Sequence, residues 1–182
     1  VLENCPGAVH VFDHFHVVKL MNDHLDDIRR KVYAMEKDVN KRKVLKGTRY
    51  LLLGNGEDIF DQQHKTRLDN ALAMNEPLSK AYYLKEQLRE IWSQISKEEA
   101  EAVLDDWVKQ ARKSKIPHLM RIAATLLAHR RGILAWYDSH ISTGKVEGIN
   151  NKIKVMKRNA YGFRDDWYFT LRLYALHDCR IT

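Results

Sequence analysis

Apolar residues recur at helical spacing along most of this 182-residue chain. From Phe15 to about Met35 they lie three or four residues apart, at Val18, Met21, Leu25, Ile28 and Val32. Such spacing predicts one long amphipathic helix. The segment from Glu57 to His140 shows the same spacing, with a break near Pro77, and a capping box at Ser96 and Glu99. A mainly α chain is therefore predicted.

A short segment near the start has a different pattern. Pro6-Gly7 is a turn signal, and residues 8–13 are rich in strand-forming types and end at Asp13. We predict a strand here that leads into a helix beginning near Phe15. The apolar run from Tyr50 to Leu53 could be a second strand or a helix. A lone strand needs partners from outside this sequence, and a start at Val1 rather than Met suggests a fragment.

Basic residues outnumber acidic ones, and they cluster. The chain has 31 Lys and Arg against 24 Asp and Glu, a formal net charge of +7. The clusters are Arg29-Arg30-Lys31, Lys41-Arg42-Lys43, Arg130-Arg131 and the run from Lys152 to Arg158. A polyanion such as nucleic acid is the partner that this balance favours.

The two cysteines, Cys5 and Cys179, lie near opposite ends of the chain. They indicate neither a disulfide framework nor a metal-binding pair, so a cytoplasmic protein is expected. No apolar run approaches the roughly 20 residues that span a bilayer, and no secretory signal is visible. A membrane partner is therefore not expected.

A polar loop at residues 142–144 precedes a helix with an unusual face. The spacing aligns one acid, two amides and two bases, at Glu147, Asn150, Asn151, Lys154 and Arg158. A carboxylate at the head of such a face can hold a divalent cation while the bases hold phosphates. The alternative is a solvated helix with mixed charges. Asp13 is the second acid that stands out, since two-metal phosphoryl transfer needs clustered carboxylates.

Four ordered blocks resemble the ISL-three type of bacterial insertion-sequence transposases. Pro6 to Leu20 contains the D-x-F-H-V-V-K-L pattern of that family, at Asp13 to Leu20. Leu45 to Leu53 and Ala81 to Trp92 look like two further family segments. Glu147 to Arg164 is similar to the block that holds the family's last catalytic acid.

The resemblance implies a DDE transposase whose RNase H-like core is interrupted by a helical insertion. Such enzymes use Mg²⁺ or Mn²⁺, held by two Asp and one Glu, to activate water and then a DNA 3′-hydroxyl. Glu147 matches the Glu. The first Asp is expected upstream of this chain. The second either lies upstream too, with Asp13 and His16 forming a D-x-x-H element that follows it, or is Asp13 itself.

We therefore expect three regions: residues 1–36 as a partial RNase H-like core made of a strand plus a helix, 37–140 as the helical insertion, and 141–182 as C-terminal helices of the core that carry Glu147. The expected fold is mainly α, with one or two strands near the N-terminus. The expected DNA contacts are Asn150, Asn151, Lys152, Lys154, Lys157 and Arg158. Double-stranded DNA at transposon ends and targets is the expected partner, with a homo-oligomer as the expected assembly. The alternative function is a non-catalytic helical DNA-binding module or transposase remnant.

Two residue types keep more than one interpretation. His16 could have a catalytic role or simply tie the strand end to the following helix. The four tryptophans lie on apolar stripes and are predicted to pack in the core. In related transposases an aromatic residue can stack on a flipped base, and Trp92 or Trp107 could do so here.

Overall fold

The computed structural model describes residues 7–140 and 144–176. Over these residues the chain is mainly helical, as predicted, and contains no β-strand. Two compact units are present, Val1–His140 and Ile141–Thr182. The described α-helices of the first unit are α1 (His14–Met35), α2 (Val39–Leu45), α3 (Arg49–Leu53), α4 (Gln62–Ala73), α5 (Glu76–Arg89), α6 (Lys97–Lys113), α7 (Pro117–Ala128), α8 (Arg130–Leu134) and α9 (Trp136–Ser139). Those of the second unit are α10 (Gly144–Asn159) and α11 (Asp166–Ala175).

Short polar side chains set the beginnings of many of these helices. The Asp13 carboxylate accepts a hydrogen bond from the Phe15 amide at 2.9 Å and starts α1. The predicted capping box is confirmed: the Glu99 amide donates to Ser96 Oγ at 3.1 Å, and the Ile95 amide donates to the Glu99 carboxylate at 3.2 Å. Other caps are Asp38, Asp61, Asn75 and Asp165. Each cap satisfies backbone N–H groups that the helix leaves open, and contributes about 1 kcal/mol.

The core of the first unit forms around α1 and α5. Helix α1 buries Val17, Met21, Leu25 and Ile28 and packs against α5, α3 and α7. The stripe was predicted with Val18, which is only half-buried, while Val17 is buried instead. Trp107 of α6 is buried as predicted, and its indole N–H donates to the Leu84 carbonyl at 2.7 Å. That bond joins α6 to α5 and gives the buried indole N–H the hydrogen-bond partner that it would otherwise lack.

The predicted strand at residues 8–13 is wrong. Its last residue, Asp13, has extended backbone angles, but no strand lies beside the segment in the described chain. The Phe12 amide instead donates to the carbonyl of Gly132 in α8 at 3.0 Å. An extended segment counts as a strand only when a second strand pairs with it, and here a helix accepts its hydrogen bond. The predicted helix start near Phe15 is confirmed, and Tyr50 to Leu53 belongs to the helix α3.

The second unit contains α10 and α11. A cavity of about 680 Å³ lies between them, and its apolar lining includes Val155, Met156 and Phe163. Lys157 Nζ lies 5.2 Å from the centre of the Phe169 ring. Trp167 is 71% exposed, so the prediction that it packs in the core is wrong. The sequence pattern predicts a last helix from about Asp165 to Cys179. Helix α11 confirms its first part, and residues 177–182 lie outside the described residues.

None of the described helices has the length and apolar content needed to cross a bilayer.

Candidate functional site

Asp13 lies at the N-terminus of α1 and is held firmly. Its side chain is only 7% exposed. Besides capping α1, its Oδ1 lies 3.0 Å from Nδ1 of His14. A carboxylate at this end of a helix also interacts favourably with the positive end of the helix dipole. The residue is therefore fixed in place by its role in starting the helix, whatever else it binds.

His16 lies in the first turn of α1, next to Asp13. Its amide donates to the Asp13 carbonyl at 3.2 Å, and its side chain is exposed. The ring meets Phe15 edge-on, with 5.8 Å between the ring centres. Asp13 and His16 are thus brought together at one end of one helix, and the imidazole is open to solvent.

Glu147 lies in the first turn of α10, in the second unit, and its side chain is half-buried. The polar residues that follow it on α10 are all exposed: Asn150, Asn151, Lys152, Lys154, Lys157 and Arg158. Helical spacing in the sequence also predicts an apolar stripe on this helix at Val146, Ile149, Ile153 and Met156. The side chain of Val146 lies outside the described residues. Of the remaining stripe, Ile153 and Met156 are half-buried and Ile149 is 53% exposed.

Two of the other basic clusters are used in ion pairs within the first unit. The buried Asp26 accepts from Arg29 and Arg30, at 2.7 and 3.0 Å, and from Arg49 at 3.2 Å. Burial raises the pKa of Asp26, but the hydrogen bond and the charge of Arg29, with the charges of Arg30 and Arg49, outweigh burial and lower the pKa below 3.8.

Arg130 is similarly engaged. Its guanidinium bonds to Asp105 and Glu101, at 2.5 and 2.7 Å, and these partners raise the pKa of Arg130 while lowering the pKa of Asp105. By contrast, within the described part of the chain the bases of α10 from Lys152 to Arg158 take part in no ion pair. The exposed bases of α10 are therefore available to contact a polyanion. Lys41, Arg42 and Lys43 of α2 are also exposed and take part in no ion pair of the described residues.

The tryptophans differ in exposure. Trp107 is 2% exposed and cannot stack on a base without unfolding of α6. Trp92 is half-buried, and its ring centre lies 6.1 Å from that of His14, the residue that follows Asp13. Of the two candidates for base stacking, Trp92 is the one with an accessible surface and the one near a predicted site residue.

One polar cluster was missed by the sequence analysis. His24 and Asp27 of α1 meet His118 of α7, and one ligand atom from each lies within 4.8 Å of the others. The pair His24 and Asp27, three residues apart, was visible in the sequence as one face of a helix. His118 lies far along the chain, so only the packing of α7 on α1 brings it to the pair.

The donor atoms distinguish two kinds of cation. Mg²⁺ prefers oxygen ligands, and the carboxylate of Glu147, half-exposed on the first turn of a helix, fits that preference. Asp13 also offers carboxylate oxygens, although Oδ1 already accepts the capping hydrogen bond. The cluster at His24 has two imidazoles and suits a transition metal instead.

Comparison with known proteins places this chain in a family. A sequence model of a family described as "Transposase", of the ISL-three type, matches residues 1–173. The chain is 39% identical over 172 residues to the transposase for insertion sequence element IS1001 of Bordetella parapertussis, covering 93% of this chain and 42% of that protein. It is 32% identical over 186 residues to the transposase for insertion sequence element IS1557 of Mycobacterium tuberculosis, covering 90% and 41%.

The chain thus spans about two-fifths of the length of these curated relatives. A Lactococcus lactis protein named ATP-dependent protease is 56% identical over 36 residues, but that match covers only 20% of the chain. No solved structure matches the chain. The family match over residues 1–173 includes both Asp13 and Glu147. The chain belongs to the ISL-three type of insertion-sequence transposases.

Proposed function

We propose that this chain is the C-terminal part of the catalytic domain of a DDE transposase. The parent enzyme cuts and joins DNA strands at the ends of an insertion sequence. In this proposal residues 1–36 and 141–182 belong to an RNase H-like core, and residues 37–140 form a helical insertion. The observation that carries the proposal is the exposed polar and basic surface of α10 that follows Glu147.

Glu147 is proposed to hold Mg²⁺ or Mn²⁺ together with two Asp residues of the parent protein. The ion would neutralise phosphate charge and lower the pKa of a bound water or 3′-hydroxyl. Glu147 lies in the first turn of α10, and its carboxylate oxygens are the kind of ligand that Mg²⁺ and Mn²⁺ prefer. One carboxylate alone binds Mg²⁺ poorly, so this chain by itself is expected to show no strand cleavage.

The exposed face of α10 is proposed to contact the DNA backbone. Asn150, Lys154 and Arg158 are each four residues apart, so they lie along one side of the helix. From Asn150 to Arg158 the rise is about 12 Å. That length matches the axial rise of roughly three to four phosphates of one DNA strand, at about 3.4 Å each. Bases and amides on this face can therefore contact successive phosphates and fix the helix along the duplex.

The first experiment measures duplex binding by this chain at several salt concentrations. Replacing Lys154 and Arg158 by Ala should weaken binding to all DNA sequences. It should also make the plot of log binding constant against log salt concentration less steep by about 2, because each lost phosphate contact reduces that slope by about 0.9. The control is Lys109→Ala with Lys113→Ala, since these exposed residues of α6 are also four apart. An equal loss in both double variants, or binding that does not respond to salt, would contradict the proposal.

The second experiment uses the full-length protein and transposon-end DNA. Glu147→Gln keeps the shape of the side chain but removes the charge, so cleavage should disappear while DNA binding is retained. Glu98→Gln is the matched control, because Glu98 is an exposed acid in the first turn of α6. Cleavage by Glu147→Gln at the parental rate would exclude Glu147 as a metal ligand.

Asp13 can be tested without disturbing the helix that it starts. Asn caps helices about as well as Asp, so Asp13→Asn keeps the hydrogen bond to the Phe15 amide and removes the negative charge. Complete loss of cleavage with folding and DNA binding intact would favour Asp13 as the second metal ligand. Partial activity would favour a D-x-x-H element with His16, and His16→Asn should then lower cleavage to a similar degree.

The alternative function, a non-catalytic DNA-binding module, makes a distinct prediction in the same assays. A full-length protein that binds DNA in a salt-dependent way but cleaves nothing, with or without Mn²⁺, would support it. Assembly as a homo-oligomer and a cytoplasmic location are further parts of the proposal, and sedimentation of the full-length protein with and without transposon-end DNA tests the first.

A further inference from the structure

Three side chains from two helices meet in the first unit, about three helical turns along α1 from Asp13. His24 and Asp27 lie one turn apart on α1, and His118 lies in the first turn of α7. Nδ1 of His24 and Nδ1 of His118 are 3.0 Å apart, and the two rings are edge-on, with 5.3 Å between their centres. Ligand atoms of all three residues lie within 4.8 Å of one another.

The 3.0 Å between the two imidazole nitrogens is close to the ligand spacing of a tetrahedral metal site. Bonds of about 2.0–2.1 Å to Zn²⁺ set ligand atoms about 3.3 Å apart, so the two imidazole nitrogens need to move only slightly. The Asp27 side chain is half-exposed, at 51%, and can rotate toward them. His118 is 7% exposed, which limits the orientations that its ring can take.

We propose that His24, Asp27 and His118 form a binding site for a transition-metal ion of the Zn²⁺ class, which links α1 to α7. Two imidazoles and one carboxylate are a ligand set that such ions prefer, and that Mg²⁺ does not. Three protein ligands leave the fourth position for water. His24 is eleven residues beyond Asp13 on the same helix, about 16 Å along its axis. The site is therefore separate from any cation held at Asp13.

Lys31 competes with the metal for His118. Its Nζ lies 2.8 Å from Nε2 of His118, and an ammonium group can only donate, so Nε2 accepts. The proton of the neutral ring is then on Nδ1, where it donates to His24. A metal bound through Nδ1 requires that proton to be on Nε2, so the exposed Lys31 must swing away. Removing the ammonium should therefore tighten metal binding.

The experiment adds Zn²⁺ or Co²⁺ to the metal-free chain and measures affinity by calorimetry, ligand-field absorption of Co²⁺ and the rise in melting temperature. One ion per chain should bind and stabilise the fold, because only the folded chain brings the three ligands together. Asp27→Asn and His118→Ala should each weaken binding at least tenfold, since loss of even a supporting partner costs roughly 10- to 100-fold. Lys31→Met should tighten it.

His64→Ala is the matched control. His64 in the first turn of α4 and Asp61, the N-cap of that helix, form a similar pair 3.7 Å apart, but no third ligand joins them in the described structure. This variant should bind as the parent does. Absence of binding in the parent, or equal affinity in the parent and Asp27→Asn, would overturn the proposal. Circular dichroism before metal addition shows whether each variant is folded, and the exposed Asp27→Asn decides the outcome if His118→Ala is not.

Discussion

Replacing Gly132 by Ala tests how the segment that leads into Asp13 is held. The Phe12 amide donates to the Gly132 carbonyl at 3.0 Å, and the Phe12 ring lies directly over the glycine. A Cβ added at Gly132 would lie 2.4 Å from a ring carbon of Phe12 and 2.8 Å from the carbonyl oxygen of His10. The ring must then move by about 1 Å to reach an ordinary carbon–carbon contact.

The expected loss follows from two opposing terms. Overpacking of this kind costs about 1–3 kcal/mol, and the upper half applies because one neighbour is a backbone carbonyl that cannot rotate away. Ala in place of Gly inside a helix returns about 1 kcal/mol. The net loss in free energy of unfolding should be about 1–2 kcal/mol, which lowers the melting temperature by about 2–8 °C for a chain of this size.

Thermal and urea unfolding of the whole chain measure this difference, with Gly148→Ala as control. Gly148 lies in α10 with no atom within 4 Å of an added Cβ, so Ala there should cause no loss. In a Phe12→Ala background, Gly132→Ala should cost at least 0.5 kcal/mol less than in the parent, because contacting residues are energetically coupled. A Gly132→Ala variant as stable as the parent would refute the described docking of Phe12 on α8.

Three further perturbations test the first unit. Asp26→Asn should lower stability by about 1–3 kcal/mol at pH 7, because three arginines lose their partner. Folding lowers the pKa of Asp26, so the ionised carboxylate stabilises the fold. This stabilisation is fully present above the pKa that Asp26 has in the unfolded chain, and it is lost as pH falls through the lower pKa of the folded state. The gap in melting temperature between parent and variant should therefore close below about pH 4. Ser96→Ala should cost about 1 kcal/mol in urea unfolding, and Ser96→Asp should not. Burial, with Glu86 nearby, raises the pKa of Tyr82 to about 12. Tyr82→Phe should therefore remove a component that titrates near pH 12 from the tyrosine absorbance titration, and an unchanged curve would contradict this.

Helices were predictable here because their signals are local. The stripe of α1, the capping box of α6 and Pro117 at the start of α7 all lie within a few residues of the structure that they specify. Residues 8–13 were mistaken for a strand because β-forming composition describes an extended backbone, not its partner. That partner is Gly132 of α8, more than 100 residues away, and no sequence feature near residues 8–13 indicates that the two segments meet.

The site residues divide in the same way. The placement of Glu147 and the α10 bases on consecutive turns of one helix was predictable, because helical spacing is a local feature of the sequence. Their roles in catalysis and DNA binding stay predictions. The retention of Arg29, Arg30 and Arg130 in ion pairs was not predictable, since Asp26, Glu101 and Asp105 had to be brought to them by folding. Counting bases in the sequence therefore overstated the surface that is open to DNA.

Asp13, Asp26 and Asp27 show why residue type alone could not assign these sites. All three carboxylates lie on or next to α1, within fourteen residues of one another. Asp13 caps the helix, Asp26 is buried among arginines, and Asp27 is half-exposed beside two imidazoles. A negative charge costs free energy when it leaves water unless charges or N–H groups replace the lost hydration. For Asp13 the replacement is the local Phe15 amide. For Asp26 and Asp27 the neighbours come partly from α3 and α7, so the surroundings of these two acids were decided only when the helices packed together.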